Sequence, residues 1–171
     1  MQTTFEPGTL ERLAIARAQS ALACGALQPI ATEYELVAQA GCEFVVRIAT
    51  NLIRKDKAKQ KQRPVNPFLP YDERLFVANI SATHVCLLNK FNVVERHILL
   101  VTRAYEEQTD PLTAEDFAAL WRSLQEMDGL AFYNGGAAAG SSQPHKHLQV
   151  VPLPLAPQGA TVPLAAHLLG K

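Results

Sequence analysis

The sequence predicts an α+β fold, an antiparallel sheet of short strands with helices packed on it. Three observations lead there. The runs Leu75 to Ile80, His84 to Leu88 and His97 to Thr102 are strand-like, and the loops between them are too short for a parallel crossover. Residues 9–27 and 114–128 carry helical periodicity with start and stop signals. From His145 to Val150 the chain alternates with period two, as a strand does.

Taken in order, the first helix spans residues 9–27. Thr9 is placed to cap it, Leu10, Leu13, Arg17 and Ala21 share a face, and Gly25 ends it. A loop containing Pro29 follows, then a strand over Glu43 to Ala49, where β-branched residues cluster. Residues 54–63 hold Lys55, Lys57, Lys59, Lys61 and Arg63 at every second position; as a run they read as a solvated loop. Asn66-Pro67-Phe68-Leu69-Pro70-Tyr71-Asp72 is a turn-rich connection into the three strands. Thr113 and Asp116 then form a capping box for the helix at 114–128, with Leu112 and Phe117 at the staple positions. Phe117, Leu120, Trp121 and Leu124 make one apolar stripe, expected to be its core face, and Gly129 is its expected stop. Leu130 to Tyr133 resumes as a strand, and the prolines after Val151 stop regular pairing.

Composition narrows the function classes. The 171 residues make one domain with a sizeable core; 48% hydrophobic and 19% charged residues exclude a wholly disordered chain. Sixteen basic and sixteen acidic residues cancel, so no global field favours nucleic acid. Cys24, Cys42 and Cys86 are scattered and odd in number, which argues against a disulfide framework or a zinc site and for a reducing cytoplasm. The N-terminus has no signal-peptide pattern, and no apolar stretch approaches the ~20 residues of a membrane span.

The chemistry concentrates between Asn134 and Gln149. A loop of glycines and alanines opens the stretch, and Ser141 and Ser142 follow, so backbone N–H groups can approach a phosphate without a Cβ in the way. On a strand, His145, His147 and Gln149 share one face, while Leu148 and Val150 turn to the core. Two histidines around a lysine are often only a solvated strand, and His-x-His also binds metals. Gln149 is a poor metal ligand, however, and no Cys or Asp adjoins, so the metal reading falls behind. What remains is nucleophilic attack on phosphorus. A neutral imidazole does this with one ring nitrogen free and the other hydrogen-bonded to fix the tautomer. His147, flanked on both sides, is the better nucleophile. Gln149 can donate to a phosphoryl oxygen but cannot deliver a proton, which suits an ionised acceptor such as phosphate better than water. His84 and His97, in apolar strand runs, read as hydrogen-bonded core histidines.

His145-Lys146-His147-Leu148-Gln149, after Asn134-Gly135-Gly136 and Gly140-Ser141-Ser142-Gln143, resembles the diadenosine tetraphosphate phosphorylases (ATP adenylyltransferases), a glutamine-containing branch of the histidine triad superfamily. Leu87-Leu88-Asn89-Lys90-Phe91, His97 to Thr102 and Phe132-Tyr133-Asn134 extend the resemblance over roughly residues 45 to 155. It implies a half-barrel antiparallel sheet and the conversion of diadenosine tetraphosphate and phosphate to ADP and ATP. It also implies AMP carried covalently on His147, with His145 and Gln149 beside it. Phosphate and nucleotide binding fall on Asn134, Gly140, Ser141, Ser142, Gln143, Asn89 and Lys90, and a short match adds Lys55 of Leu52-Ile53-Arg54-Lys55. No resident metal is implied; Mg²⁺ enters only with the polyphosphate.

On this reading residues 1–40 form an N-terminal helical segment, 41–157 the histidine-triad-like core, and 158–171 the start of a truncated C-terminal segment. Members of the family continue into a second segment that completes the substrate site. The chain is therefore expected to be a fragment, or one of two separately encoded pieces, with low turnover alone. Two other readings stand beside it. A hexose-1-phosphate uridylyltransferase relative shares the histidine–glutamine logic, although that family usually has Pro where Lys146 stands. A nucleotide-binding remnant without turnover is the other.

Overall fold

A computed structural model describes residues 5–49, 66–157 and 162. Helix α1 (Leu10–Ala23) is followed by strands β1 (Thr32–Gln39), β2 (Cys42–Ala49), β3 (Phe76–Asn79), β4 (His84–Leu88) and β5 (Ile98–Thr102). Helix α2 (Ala114–Leu124) and strands β6 (Gly129–Phe132) and β7 (His147–Pro152) complete the order. β3 to β7 form an open antiparallel sheet in the order β3-β4-β5-β7-β6, and β1 and β2 form a separate hairpin. The expected α+β class with an antiparallel sheet holds.

The sheet has two unlike faces. Cys86, Leu88, Ile98, Leu100, Leu148 and Val150 point to one, where they pack with Leu10, Ala14 and Ala21 of α1 and Ala119 of α2. Val85, Leu87, Leu99 and Val101 point to the other and pack under Phe68. The register pairs Val101 with His147 and Leu99 with Gln149, so both candidate residues stand on the Phe68 face. Leu148 and Val150 face the helices, as the alternation requires.

Four details differ from the sequence reading. The stretch read as a loop after Pro29 contains β1, which pairs with β2 along its whole length. Ala40 (φ 51°) and Gly41 (φ 79°) make the two-residue turn, the primed geometry that tight hairpins favour. The division expected at residue 40 falls in that turn. Gly129 opens β6 opposite Pro152 of β7 instead of ending the helix; α2 ends at Leu124. Thr113 and Asp116 form the capping box, whereas Thr9 spends its hydroxyl on the Glu6 carbonyl and caps nothing with its side chain.

The fourth difference is the face α2 presents. Phe117 is 58% exposed and Trp121 65%, so the stripe that contains them is not the core face. Asp116, Ala119 and Ser123 are buried instead, with Leu120 and Leu124 at the margin. The reason is electrostatic. Asp116 reaches inward to His84 Nε2 at 2.9 Å and Lys146 Nζ at 2.8 Å, which rotates the helix about that contact. His84 is thus the bonded core histidine its setting predicted.

Candidate active site

A cavity of about 560 Å³ opens on the Phe68 face. His147 and Gln149 reach it from β7, and Asn89 and Lys90 from the connection after β4. Asn134, Gly140, Ser141, Ser142 and Gln143 close it from the loop before β7. Residues from three separate stretches therefore meet where the sequence reading joined them. Lys55 lies outside the described residues, as does the basic run around it.

The geometry of His147 follows from its backbone. Its Nδ1 lies 2.8 Å from the carbonyl oxygen of His145. A carbonyl only accepts, so Nδ1 carries the proton and Nε2 keeps its lone pair. Nε2 has no hydrogen-bond partner among the described residues, on a side chain that lines the cavity. Burial pushes the His147 pKa below its ordinary value; the His145 carbonyl opposes this, and the His145 ring adds to it. At neutral pH the ring is uncharged, the state a nucleophile needs.

His145 departs from the expected row. β7 begins at His147, and His145 forms a lone bridge to Glu107. Its ring is fully buried and does not line the cavity. Nδ1 accepts from the Asn66 amide at 3.0 Å, so Nε2–H donates to the Thr102 carbonyl at 2.8 Å. Burial lowers this pKa too. The ring stands 5.6 Å from Phe68, which stands 5.3 Å from His147. Phe68 and the His145 main chain thus hold the His147 ring between them.

In the loop, Gly136 has φ +89° and Gly140 φ +96°. An added Cβ on Gly136 meets Thr109 Cγ2 at 2.7 Å, so the glycine is required by shape as well as by φ. A single 3₁₀ turn over Ala137–Ala139 lies between them. Ser141 Oγ donates to the Gln143 carbonyl at 3.0 Å. Lys90 Nζ sits 5.5 Å over the Phe91 ring, at the cavity edge. No group of three or more His, Cys, Asp or Glu set to hold a metal occurs among the described residues, nor does a helix long and apolar enough to cross a membrane.

The chain matches the family model described as the Ap4A phosphorylase N-terminal domain over residues 1–170. It belongs to that family. It is 34% identical over 123 residues to Protein APA1 of Saccharomyces cerevisiae, covering 65% of this chain and 38% of that protein. It is 35% identical over 132 residues to diadenosine 5',5'''-P1,P4-tetraphosphate phosphorylase 2 of the same yeast, covering 68% and 41%. The crystal structure of yeast Ap4A phosphorylase Apa2 in complex with Ap4A superposes with a TM-score of 0.74 at 29% identity, covering 90% of this chain and 53% of that one. The Apa2 complex with AMP gives 0.70 at 30%, covering 87% and 51%. The chain spans about two fifths of the length of the curated relatives it matches.

In this Ap4A phosphorylase domain two supporting groups escaped the sequence reading. Gln108 is buried and its side chain makes three hydrogen bonds. Its Oε1 accepts from His147 N at 2.8 Å, and its Nε2 donates to the carbonyls of His147 at 3.1 Å and Asn134 at 2.8 Å. One amide therefore fastens the His147 main chain to Asn134, at the start of the loop before β7. Nothing in the sequence around Gln108 signals this. Asn66 is the other: it donates to His145 and accepts from Phe68 N at 2.9 Å, which seats Phe68 over the sheet. An Asn-Pro pair before β3 is the available signal, and it reads only as a turn.

Proposed function

We propose that this chain forms the nucleotidyl-transfer part of an enzyme that converts diadenosine tetraphosphate and phosphate to ADP and ATP through an adenylyl-His147. The observation that carries the reading is the fixed tautomer of His147. Nδ1–H is committed to the His145 carbonyl, and the opposite nitrogen is left with its lone pair on a cavity wall.

In the first step His147 Nε2 attacks the α-phosphorus and the P–O bond to the remaining polyphosphate breaks, releasing ATP. The positive charge formed on the ring is stabilised by the carbonyl already bonded to Nδ1–H. ATP leaves as a stable anion, so no general acid is required. In the second step a phosphate oxygen attacks the same phosphorus, the P–N bond breaks, and ADP leaves with His147 restored. Gln149 and the Ser142 hydroxyl supply neutral donors for the phosphoryl oxygens, Ser141 shapes the loop through its bond to the Gln143 carbonyl, and Asn89 and Lys90 stand toward the nucleotide. Mg²⁺ accompanies the polyphosphate as part of the substrate. Three cysteines, odd in number and scattered along the chain, support a reducing cytoplasm as the setting.

Family membership supports the dinucleotide branch over the hexose-1-phosphate uridylyltransferase alternative.

The test is to incubate the chain with α-labelled diadenosine tetraphosphate. The expected product is an acid-labile, base-stable label on wild type and none on His147→Ala. Added phosphate should discharge the label as ADP. Nucleotide binding without label marks a binding remnant and rejects the proposal; discharge chiefly as free AMP makes the enzyme a hydrolase.

A further inference from the structure

His97 is buried beside the cavity without lining it, at 6% exposure. The cavity-lining residues Asn89 and Gln149 lie on either side of it. The Asn89 amide nitrogen is 3.2 Å from His97 Nδ1, and Asn89 N donates to the His97 carbonyl at 2.9 Å. Gln149 stands on the neighbouring strand, opposite Leu99 and Phe132, and the Phe132 ring is 6.1 Å from the imidazole. Burial lowers the His97 pKa to about 4, with nearby Gln149 opposing the fall, so the ring is neutral at pH 7. A neutral ring carries one proton. The Asn89 amide nitrogen can only donate, so Nδ1 accepts and the proton is on Nε2. Yet Nε2 has no hydrogen-bond partner among the described residues, although it is buried. The Gln149 approach falls short of a bond. Buried donors are rarely left so, and the nearby group able to accept is the Gln149 side-chain oxygen.

We propose that His97 is a positioning residue that orients two cavity amides in opposite senses, accepting from Asn89 at Nδ1 and donating from Nε2 to the side-chain oxygen of Gln149 when ligand fills the cavity. Asn89 then presents its side-chain oxygen to a nucleotide donor. Gln149 presents its NH₂ group to a phosphoryl oxygen. An amide turned the wrong way would offer each ligand atom the wrong partner, so one tautomer sets both polarities. The inference rests on the adenylyl-transfer reading for its rate effects, but its binding and spectroscopic effects stand without it.

The wild-type chain, ¹⁵N-labelled on histidine, gives the first test. His97 should show a protonated Nε2 and a bare Nδ1 with AMP present; the opposite tautomer overturns the proposal. Two variants give the second. His97→Asn keeps an acceptor at the Nδ1 position and loses the far donor. AMP affinity should stay within about twofold while the rate of label uptake from diadenosine tetraphosphate falls by roughly tenfold, the scale of one hydrogen bond. His97→Gln keeps a donor at the Nε2 position, so the rate should hold and AMP affinity should fall by roughly tenfold. A role in packing alone moves rate and affinity together in both variants, and that result rejects the proposal. If wild type takes no label, the phosphorylase reading fails separately. AMP affinity still decides, with loss in His97→Gln but not His97→Asn expected and the reverse overturning it.

Discussion

Lys146 Nζ sits 2.8 Å from Asp116, and both side chains are buried, so the strand that carries His147 is pinned from its far face to the first turn of α2. The ammonium also meets Glu106 at 3.1 Å and the Pro111 carbonyl at 3.0 Å. Burial alone would lower the Lys146 pKa and raise that of Asp116; their mutual bond, with Glu106 beside Lys146 and with Thr113 and His84 beside Asp116, outweighs it and moves each the other way. Removing one member leaves the other's charge buried. Lys146→Met should cost about 3–5 kcal/mol in urea unfolding. Lys146→Met with Asp116→Asn should cost less than the sum of the singles, because the second change removes the orphaned charge. Additive costs would refute the coupling.

Gln108 joins His147 to the loop before β7 through three side-chain hydrogen bonds. Replacement by leucine keeps much of the volume but strands the His147 N–H and two carbonyls. At about 1 kcal/mol for each bond, Gln108→Leu should destabilise the chain by about 3 kcal/mol. Label uptake at His147 should fall by more than the folded fraction does, since the two halves of the site are no longer fixed together. Urea unfolding and label uptake, measured side by side, separate the two effects.

Much of the candidate site is readable because a strand alternates its side chains with period two. His147, Gln149 and the glycine loop follow from spacing, and the structure brings them together. Lys146 was not readable: a lysine between two histidines has the pattern of a solvated strand, and only the distant Asp116 makes it internal. For the same reason α2 was rotated in the reading. Its apolar stripe has correct helical spacing, yet a polar contact chose the buried face. β1 was missed because Glu33, Glu35 and mostly exposed neighbours leave no one-sided alternation. A direct check follows for the helix. Trp121→Ser should change the unfolding free energy of this chain by less than about 1 kcal/mol, as for a surface residue. Ala119→Leu, at a filled site, should cost about 1–3 kcal/mol.

The acid limb of stability has a named source. His97 is held near a pKa of about 4 when folded, against ~6.5 unfolded. Between these values the unfolded chain binds more protons, so stability rises with pH from about 4 to 6.5 and is fully present above that window. The expected contribution is about 3 kcal/mol, to which buried His145 and His147 add in the same direction. Unfolding free energies measured from pH 4 to 7.5 should show this slope, and His97→Asn should flatten it. An unchanged slope would mean that the ring is not held neutral in the folded chain.

The loop before β7 depends on Gly136, whose φ of +89° and ψ of −179° lie in a region reserved for glycine. Gly136→Ala meets two separate penalties, the backbone strain and the contact with Thr109 Cγ2 at 2.7 Å. Together they should cost about 2–4 kcal/mol and slow label uptake at His147, because the loop must move to relieve either one. Adding Thr109→Ser removes the methyl but not the strain. The double variant should therefore recover part of the stability and stay below wild type. Full recovery would show that the contact alone excludes a side chain at this position, and no recovery that the backbone alone does.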